Sequence, residues 1–245
     1  MLKRLIPLFL ALLLSLSLCS SALAARPEDY VTRTGDQSVP RIALTVDDCY
    51  DSDHIRSIMA LCEKYNVHCT FFVIGIAIKD EDADLWREIA QSPLFEIGNH
   101  TMTHKALNKL KEDQILSQLR RCQNRLNEVL GFEYPMQMMR PPYGEIMSGG
   151  RWTYVANAIY YNTDYKKIVL WNVSETDPEK TPDRVKNGSI MLFHTNAKDV
   201  RCLEQVIPVL LERDYEIVTV SELFNLDPVQ IIYPEGYEQS QEETL

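Results

Sequence analysis

Ionisable side chains follow directly after several apolar runs of this 245-residue sequence. The adjacent acids Asp47 and Asp48 follow one run, and His100 and His104 follow another. Histidines spaced four residues apart place both imidazoles on one face of a helical turn. Together with one carboxylate they make three protein ligands, the number that leaves zinc an open position for water. Because side chains alternate in direction along a strand, the other carboxylate can face that water as a base.

Further strand ends carry polar residues, although each has a simpler explanation when it is considered alone. Residues 140–144 (RPPYG) follow the fourth apolar run, residues 174–177 the fifth, and His194 the sixth. Alone, Arg140 is typical of a surface or packing cation, and Leu192 of a core residue. A single histidine at such a position is more often a hydrogen-bonded core residue than a catalyst. An Asp-Asp pair often caps a helix, and two histidines at this spacing can simply lie on the protein surface.

Seven short apolar runs alternate with helical patterns, and most of the runs are continuous, as in strands that are covered on both faces. The predicted strands are Ile42–Val46, Thr70–Ile74, Phe95–Ile97, Met136–Met139, Ile168–Trp171, Ile190–Phe193 and Ile217–Val220. The clearest helices are predicted over 112–130 and about 199–212. This alternation predicts a parallel α/β sheet or barrel in one domain, and periodicity does not choose between the two. In such folds the chemistry lies at the carboxyl ends of the strands.

The two ends of the chain differ from its middle. Residues 1–24 have a basic start, a charge-free run over Leu5–Leu18 and small residues before Ala24, which predicts a secretory signal peptide cleaved after Ala24. An uncleaved anchor is the alternative. We expect residues 25–39 to form an exposed leader and 40–225 the domain. Residues 226–245 hold five acids and no base, which predicts an acidic, solvated tail.

Charge and cysteine content exclude other classes of protein. The formal net charge is -10, from 25 basic and 35 acidic residues, so the basic face that a nucleic-acid partner needs is missing. The six cysteines are too few for a disulfide scaffold. Five remain after the predicted cleavage, an odd number that leaves at least one thiol without an internal partner. Cys62 and Cys69 are predicted to be buried thiols.

Five ordered motifs resemble those of the polysaccharide deacetylase family, the NodB-homology group of carbohydrate esterases. They are LTVDD, NHTMTH, RPPYG, LWNVSETD and SIMLFH, and the resemblance covers about residues 40–225. It implies a single-domain distorted (β/α) barrel and one divalent metal ion, most often zinc. It also implies a secreted or cell-envelope enzyme that removes acetyl groups from the N-acetylhexosamine units of a carbohydrate polymer, such as peptidoglycan or a chitin-like chain.

The resemblance further implies roles for single residues at the metal. Asp48, His100 and His104 would bind the ion. Asp47 would be the general base, and Arg140 would pair with it and hold it ionised.

Other residues would contact the substrate or protonate the leaving group. The resemblance implies that Tyr143 lends a backbone N–H to the oxyanion and that Leu192 lines the pocket for the acetyl methyl group. It makes His194 the general acid and Asp177 the acid that orients and charges this histidine.

The sequence also departs from the family pattern. Cys49 stands where the family usually has Gly, Tyr50 where Pro is common, and Ser174 where it has Asp. Pro178 replaces a Trp, which removes part of the family's groove wall. Two alternatives therefore stay open: a sugar-binding protein of the same fold that has lost catalysis, and a metal-dependent amidase for a non-sugar amide. No stable membrane span is expected after cleavage.

Overall fold

The structure of the chain is a computed structural model that describes residues 30–148 and 151–237. The predicted signal peptide, residues 25–29 of the predicted leader and residues 238–245 of the predicted tail lie outside the described residues. Among the helices of the described part, none combines the length and the apolar character that crossing a bilayer requires.

All seven predicted strands are present, and they form one parallel sheet. The ten strands are β1 Val31–Thr32, β2 Arg41–Asp48, β3 Cys69–Val73, β4 Phe95–Asn99, β5 Met138–Met139, β6 Met147–Ser148, β7 Arg151–Trp152, β8 Lys167–Val169, β9 Ile190–His194 and β10 Glu216–Val218. The sheet order is β1-β8-β5-β4-β3-β2-β10, and β9 also pairs with β2. Strands β6 and β7 form a separate antiparallel pair. The predicted α/β class is confirmed, with a curved sheet that corresponds to a distorted barrel.

Helices connect the strands, as the alternation predicts. The α-helices are Ser52–Tyr65, Ala83–Gln91, Glu112–Leu130, Tyr154–Asn162, Thr181–Arg184, Ala197–Glu212 and Val220–Leu223, and short 3-10 turns lie at Gly75–Ala77, Asp80–Asp82, Leu107–Lys109 and Pro142–Gly144. Helix Glu112–Leu130 has the predicted bounds, because its apolar stripe is buried and Gly131 ends it in the left-handed conformation. Helix Ala197–Glu212 begins two residues before its predicted start, where the Asn196 side chain caps it.

The expectation that residues 25–39 are an exposed leader is wrong from Tyr30 to Gly35. Tyr30 is buried, and Val31 and Thr32 pair with Ile168 and Val169 of β8. Beyond β1, Thr34 bridges Ser189, and the Gly35 N–H donates to Gly188 O at 2.7 Å. This segment therefore fills the seam between β8 and β9.

Gly188 makes that contact possible. Its φ is +75°, and a Cβ atom at this position would lie 2.7 Å from the carbonyl oxygen of Gly35. Any larger residue would push the seam apart. A two-residue strand carries no periodic signal, which is why the sequence pattern does not reveal it.

The solvated-tail prediction for 226–245 is also wrong as far as Tyr237. Val229, Ile231 and Tyr233 alternate toward the core, and Ile232 forms an antiparallel bridge with Glu133. The rings of Tyr233 and Tyr237 lie 5.1 and 5.5 Å from that of Phe132. Three of the five acids lie beyond Tyr237, so the acid count describes the end of the tail and not the segment that packs.

The five cysteines of the described residues lie in the interior. Cys49, Cys62, Cys69, Cys122 and Cys202 are all free and buried, which confirms the prediction for Cys62 and Cys69. They act as small apolar residues within the core.

Candidate active site

The carboxyl ends of β2, β4, β5 and β9 meet at one edge of the barrel and carry most of the predicted site residues. Asp47 and Asp48 end β2, His100 follows β4, Arg140 follows β5, and His194 ends β9. The register of the parallel pairs explains the clustering, because Asp47 lies directly opposite His194. The sequence spacing and the sheet order together bring these side chains to the same mouth.

The backbone at this edge adopts a left-handed conformation that non-glycine residues seldom take. Eight described non-glycine residues have positive φ, and five of them lie here: Asp48, Cys49, Thr101, His104 and Tyr143. Each costs roughly 1–2 kcal/mol relative to ordinary backbone. Local hydrogen bonds hold the turns, since Thr101 N donates to Asn99 Oδ1 at 2.8 Å and His104 N donates to Thr101 Oγ1 at 3.1 Å. Strain of this kind is typical of sites where side-chain direction matters more than local stability.

Asp48, His100 and His104 form a possible metal-binding triad. The Asp48 Oδ1 atom lies 3.5 Å from His100 Nε2 and 3.6 Å from His104 Nε2. Ligands about 2.0–2.1 Å from a tetrahedral ion lie about 3.3–3.4 Å apart, so the triad is close to that spacing. Asp48 Oδ1 is buried without a hydrogen-bond partner among the described residues. A cation would satisfy this oxygen, and the donor set therefore fits a metal ion.

The two imidazoles are prepared for such a role. The His100 Nδ1–H donates to the backbone oxygen of Arg140 at 2.7 Å, which turns Nε2 toward the triad. Burial, and then the neighbouring His100, lower the pKa of His104, which favours the neutral form that a ligand needs. For Asp48, burial is the largest single effect and raises the pKa, but the nearby histidines together hold that pKa below its ordinary value.

Asp47 is buried beside the triad in an ion pair with Arg140. Arg140 Nη1 lies 2.6 Å from Asp47 Oδ1 and donates to Thr45 Oγ1 at 2.8 Å. The remaining guanidinium donors reach the backbone oxygens of Val169 and Leu170, at 3.2 and 3.3 Å. Burial lowers the pKa of Arg140, and the carboxylate of Asp47 opposes this effect. Asp47 is thus fixed in place with its charge balanced.

The second oxygen of Asp47 is directed at the triad. Asp47 Oδ2 lies 3.7 Å from His100 Nε2. Asp47 and Asp48 thus take different places, with the Asp48 carboxylate between the imidazoles and the Asp47 carboxylate beside them. Both approach His100 because the left-handed backbone of Asp48 ends the simple alternation of the strand.

The structure does not bring Asp177 to His194, and the expected pairing is replaced. Asp177 Oδ2 lies 2.5 Å from Lys180 Nζ, and its Oδ1 accepts from Glu179 N at 3.1 Å. Asp177 begins a turn that Pro178 helps to fix. This turn directs the Asp177 carboxylate to the Glu179 N–H and to the Lys180 ammonium group.

Asp199 is the acid beside His194. Its buried Oδ2 accepts from His194 N at 2.7 Å and lies 3.6 Å from His194 Nδ1. Asp199 raises the pKa of His194, burial opposes this, and the charges of Asp47 and Asp48 add to the rise. The sequence signal for Asp199 is an acid in the first turn of the helix that follows His194, which indicates only a helix start.

Leu192 and Tyr143 border the same mouth. Leu192 precedes His194 by two residues, so both lie on one face of β9, and Leu192 is buried. Tyr143 has φ 62°, and its ring lies 4.8 Å from that of His104. The structure therefore places eight of the nine predicted site residues around one opening, and Asp177 is the exception.

Comparison with known proteins identifies the family. Residues 34–161 match the family model described as "Polysaccharide deacetylase". A peptidoglycan-N-acetylglucosamine deacetylase of Bacillus cereus is 29% identical over 78% of the chain and 70% of its own length. The peptidoglycan-N-acetylmuramic acid deacetylase PdaC of Bacillus subtilis is also 29% identical over 78% of the chain, which spans only 40% of that relative.

Solved structures agree with this match. A peptidoglycan N-acetylglucosamine deacetylase, solved with an N-hydroxybenzamide compound, has a TM-score of 0.67 at 27% identity and covers 81% of this chain and 94% of its own. A pseudoenzyme of carbohydrate esterase family 4 from Bacillus anthracis shares the fold, with a TM-score of 0.67 at 22% identity, 80% of this chain and 70% of its own. The family model covers more than half of the chain. The chain therefore belongs to the polysaccharide deacetylase family, which comprises hydrolases of carbon–nitrogen bonds together with inactive relatives such as this pseudoenzyme.

Proposed function

We propose that the protein is an extracytoplasmic, metal-dependent N-deacetylase of N-acetylhexosamine polymers, with peptidoglycan as the first substrate to test. The observation that carries this proposal is the triad of Asp48, His100 and His104 beside the ion-paired Asp47. The named activities of the B. cereus and B. subtilis relatives support the choice of substrate.

Asp48, His100 and His104 are the residues that would hold the metal. Two imidazole nitrogens and one carboxylate oxygen suit zinc, and three protein ligands leave a position for water. When bound, such an ion supplies Lewis acidity that makes water a stronger nucleophile and polarises a carbonyl.

Asp47 would accept the proton of the water that attacks the acetamide carbon. Its Oδ2 faces the triad, and Arg140 fixes its Oδ1, so the base is held in one orientation. The backbone N–H of Tyr143, which lies in a left-handed turn, would donate to the oxyanion that develops on the carbonyl oxygen.

His194 would protonate the departing amine, a step typically worth about 10²–10⁴ in rate. Asp199 favours its protonated form, which is the form a general acid needs. Leu192 would line the pocket that receives the acetyl methyl group. Water adds to the acetyl carbon, the C–N bond breaks, and the products are acetate and the free amino sugar.

The compartment is part of the proposal. The charge-free run over Leu5–Leu18 and the small residues before Ala24 support export and cleavage. Sequencing the N-terminus of the exported protein should find a start near Ala25. A start at Met1 would favour the anchor alternative.

An acetate-release assay on N-acetylglucosamine oligomers and on purified cell wall tests the reaction. We expect release that a chelator abolishes and that added zinc restores. The Asp47→Asn variant is the matched control, because it should keep the metal and lose most turnover.

Two results would contradict the proposal. A folded, metal-loaded protein that binds oligomers without releasing acetate would be a sugar-binding protein that has lost catalysis. The fold is compatible with that outcome, since the B. anthracis pseudoenzyme shares it. Release from simple amides alone would identify a non-sugar amidase.

A further inference from the structure

Two large, exposed aromatic side chains are associated with the metal-binding triad. Tyr50 is 49% exposed and follows Asp48 by two residues, and Tyr143 is 62% exposed. The Tyr143 ring packs against His104 with 4.8 Å between ring centroids. Exposed aromatic surface at the mouth of a candidate active site can contact a ligand that enters it.

The backbone that carries Tyr50 is held on both sides. Before it, Cys49 is buried, and its N–H donates to Asp47 O at 2.9 Å. After it, Asp51 caps the helix Ser52–Tyr65 by accepting from His54 N at 3.0 Å. Tyr50 therefore lies on a short connection with little freedom, directly after the strand end that carries Asp48.

We propose that Tyr50 and Tyr143 form an aromatic rim that packs on the pyranose ring whose acetamide enters the site, which makes Tyr50 a specificity-determining residue. The C–H face of a pyranose is apolar and suits an aromatic ring, while the tyrosine hydroxyls suit its hydroxyl groups. The proposal rests on the proposed function. It also gives a role to a departure from the family, since Tyr50 stands where Pro is common.

Steady-state kinetics of Tyr50→Ala on two substrates test this inference. On an N-acetylglucosamine tetramer we expect KM to rise about 3- to 10-fold with little change in kcat, because aromatic packing of this kind is worth about 0.5–1.5 kcal/mol. On 4-nitrophenyl acetate, which has no sugar ring, kcat/KM should stay at the wild-type value. Tyr50→Phe should keep most of the affinity for the tetramer.

The matched control is Tyr161→Ala, which removes another exposed tyrosine, 73% accessible on helix Tyr154–Asn162. It should behave as the wild type on both substrates. Equal losses on the tetramer and the ester, an unchanged KM for the tetramer, or a lower metal content in Tyr50→Ala would each overturn the specificity role.

Binding of the tetramer, measured by calorimetry, separates this inference from the proposed function. If the wild type binds the tetramer without releasing acetate, the proposed function fails, and weaker binding by Tyr50→Ala still supports the aromatic rim. If the wild type releases acetate and Tyr50→Ala binds as tightly as it does, the rim alone is refuted.

Discussion

Replacing Asp199 with Asn removes one negative charge next to His194 and leaves an acceptor for the His194 backbone N–H. The carboxylate lies 3.6 Å from Nδ1. A full charge pair at that distance is worth about 1.2 kcal/mol in water and about 4.6 kcal/mol at an effective dielectric constant of about 20. The His194 side chain is 45% exposed, so the lower part of this range applies. We expect an effect of about 1.4 kcal/mol, or about one pKa unit.

The sign of the shift follows from the charges that face His194. Asp199, Asp47 and Asp48 all favour its protonated form. Loss of Asp199 therefore lowers the pKa of His194. If His194 is the general acid, the basic limb of the pH–rate profile should move to lower pH by about one unit, and kcat at pH 8 should fall.

Acetate release across pH 5–9 measures the profile, and an NMR titration of the His194 ring in the zinc-loaded protein measures the pKa without relying on turnover. Asp177→Asn is the matched control, because Asp177 is partly exposed and paired with Lys180. Its profile should equal that of the wild type. A shift in Asp177→Asn, or its absence in Asp199→Asn, would refute the reasoning.

Three further predictions concern other side chains. Asp48→Ala should lower bound zinc from about one per chain to near zero in metal analysis, and an equal loss in Asp47→Asn would mean that the two carboxylates exchange roles. Arg140→Met should lower the free energy of unfolding by about 3–5 kcal/mol in urea titrations, because it leaves Asp47 buried and unpaired. A smaller decrease in this free energy would show that water reaches the Asp47 carboxylate. Burial raises the pKa of Glu96 above its ordinary 4.5, so the free energy of unfolding should fall as pH rises from that value through the raised pKa. In Glu96→Gln the urea midpoint should no longer depend on pH over this range. A pH dependence that remains would exclude Glu96 as its source.

Much of the fold follows from periodicity alone. Most of the predicted strands are continuous apolar runs, and the helix Glu112–Leu130 has both an apolar stripe and a glycine stop, so local and tertiary preferences agree. Strand β1 and the segment 226–237 are different. Their short apolar stretches become structural only because distant parts of the chain offer a surface for them.

The site residues also divide into those that the sequence pattern predicts and those that depend on tertiary structure. The motifs predict that Asp47, Asp48, His100 and His104 meet, because parallel strands bring their carboxyl ends to one edge. The partner of His194 depends on side-chain direction after β9 and on the turn at Asp177. Neither has a periodic signal, and a buried acid in a first helical turn resembles an ordinary helix start.

The seam between β8 and β9 has a consequence for synthesis. The segment after Tyr30 contacts residues far along the chain. Arg33 Nη1 donates to the backbone oxygen of Trp171, which lies 138 positions later. At about 5–20 residues per second, a ribosome needs about 7–28 s to make that interval. The barrel therefore cannot close while its early part emerges. During that time the chain stays open, as the proposed export would require.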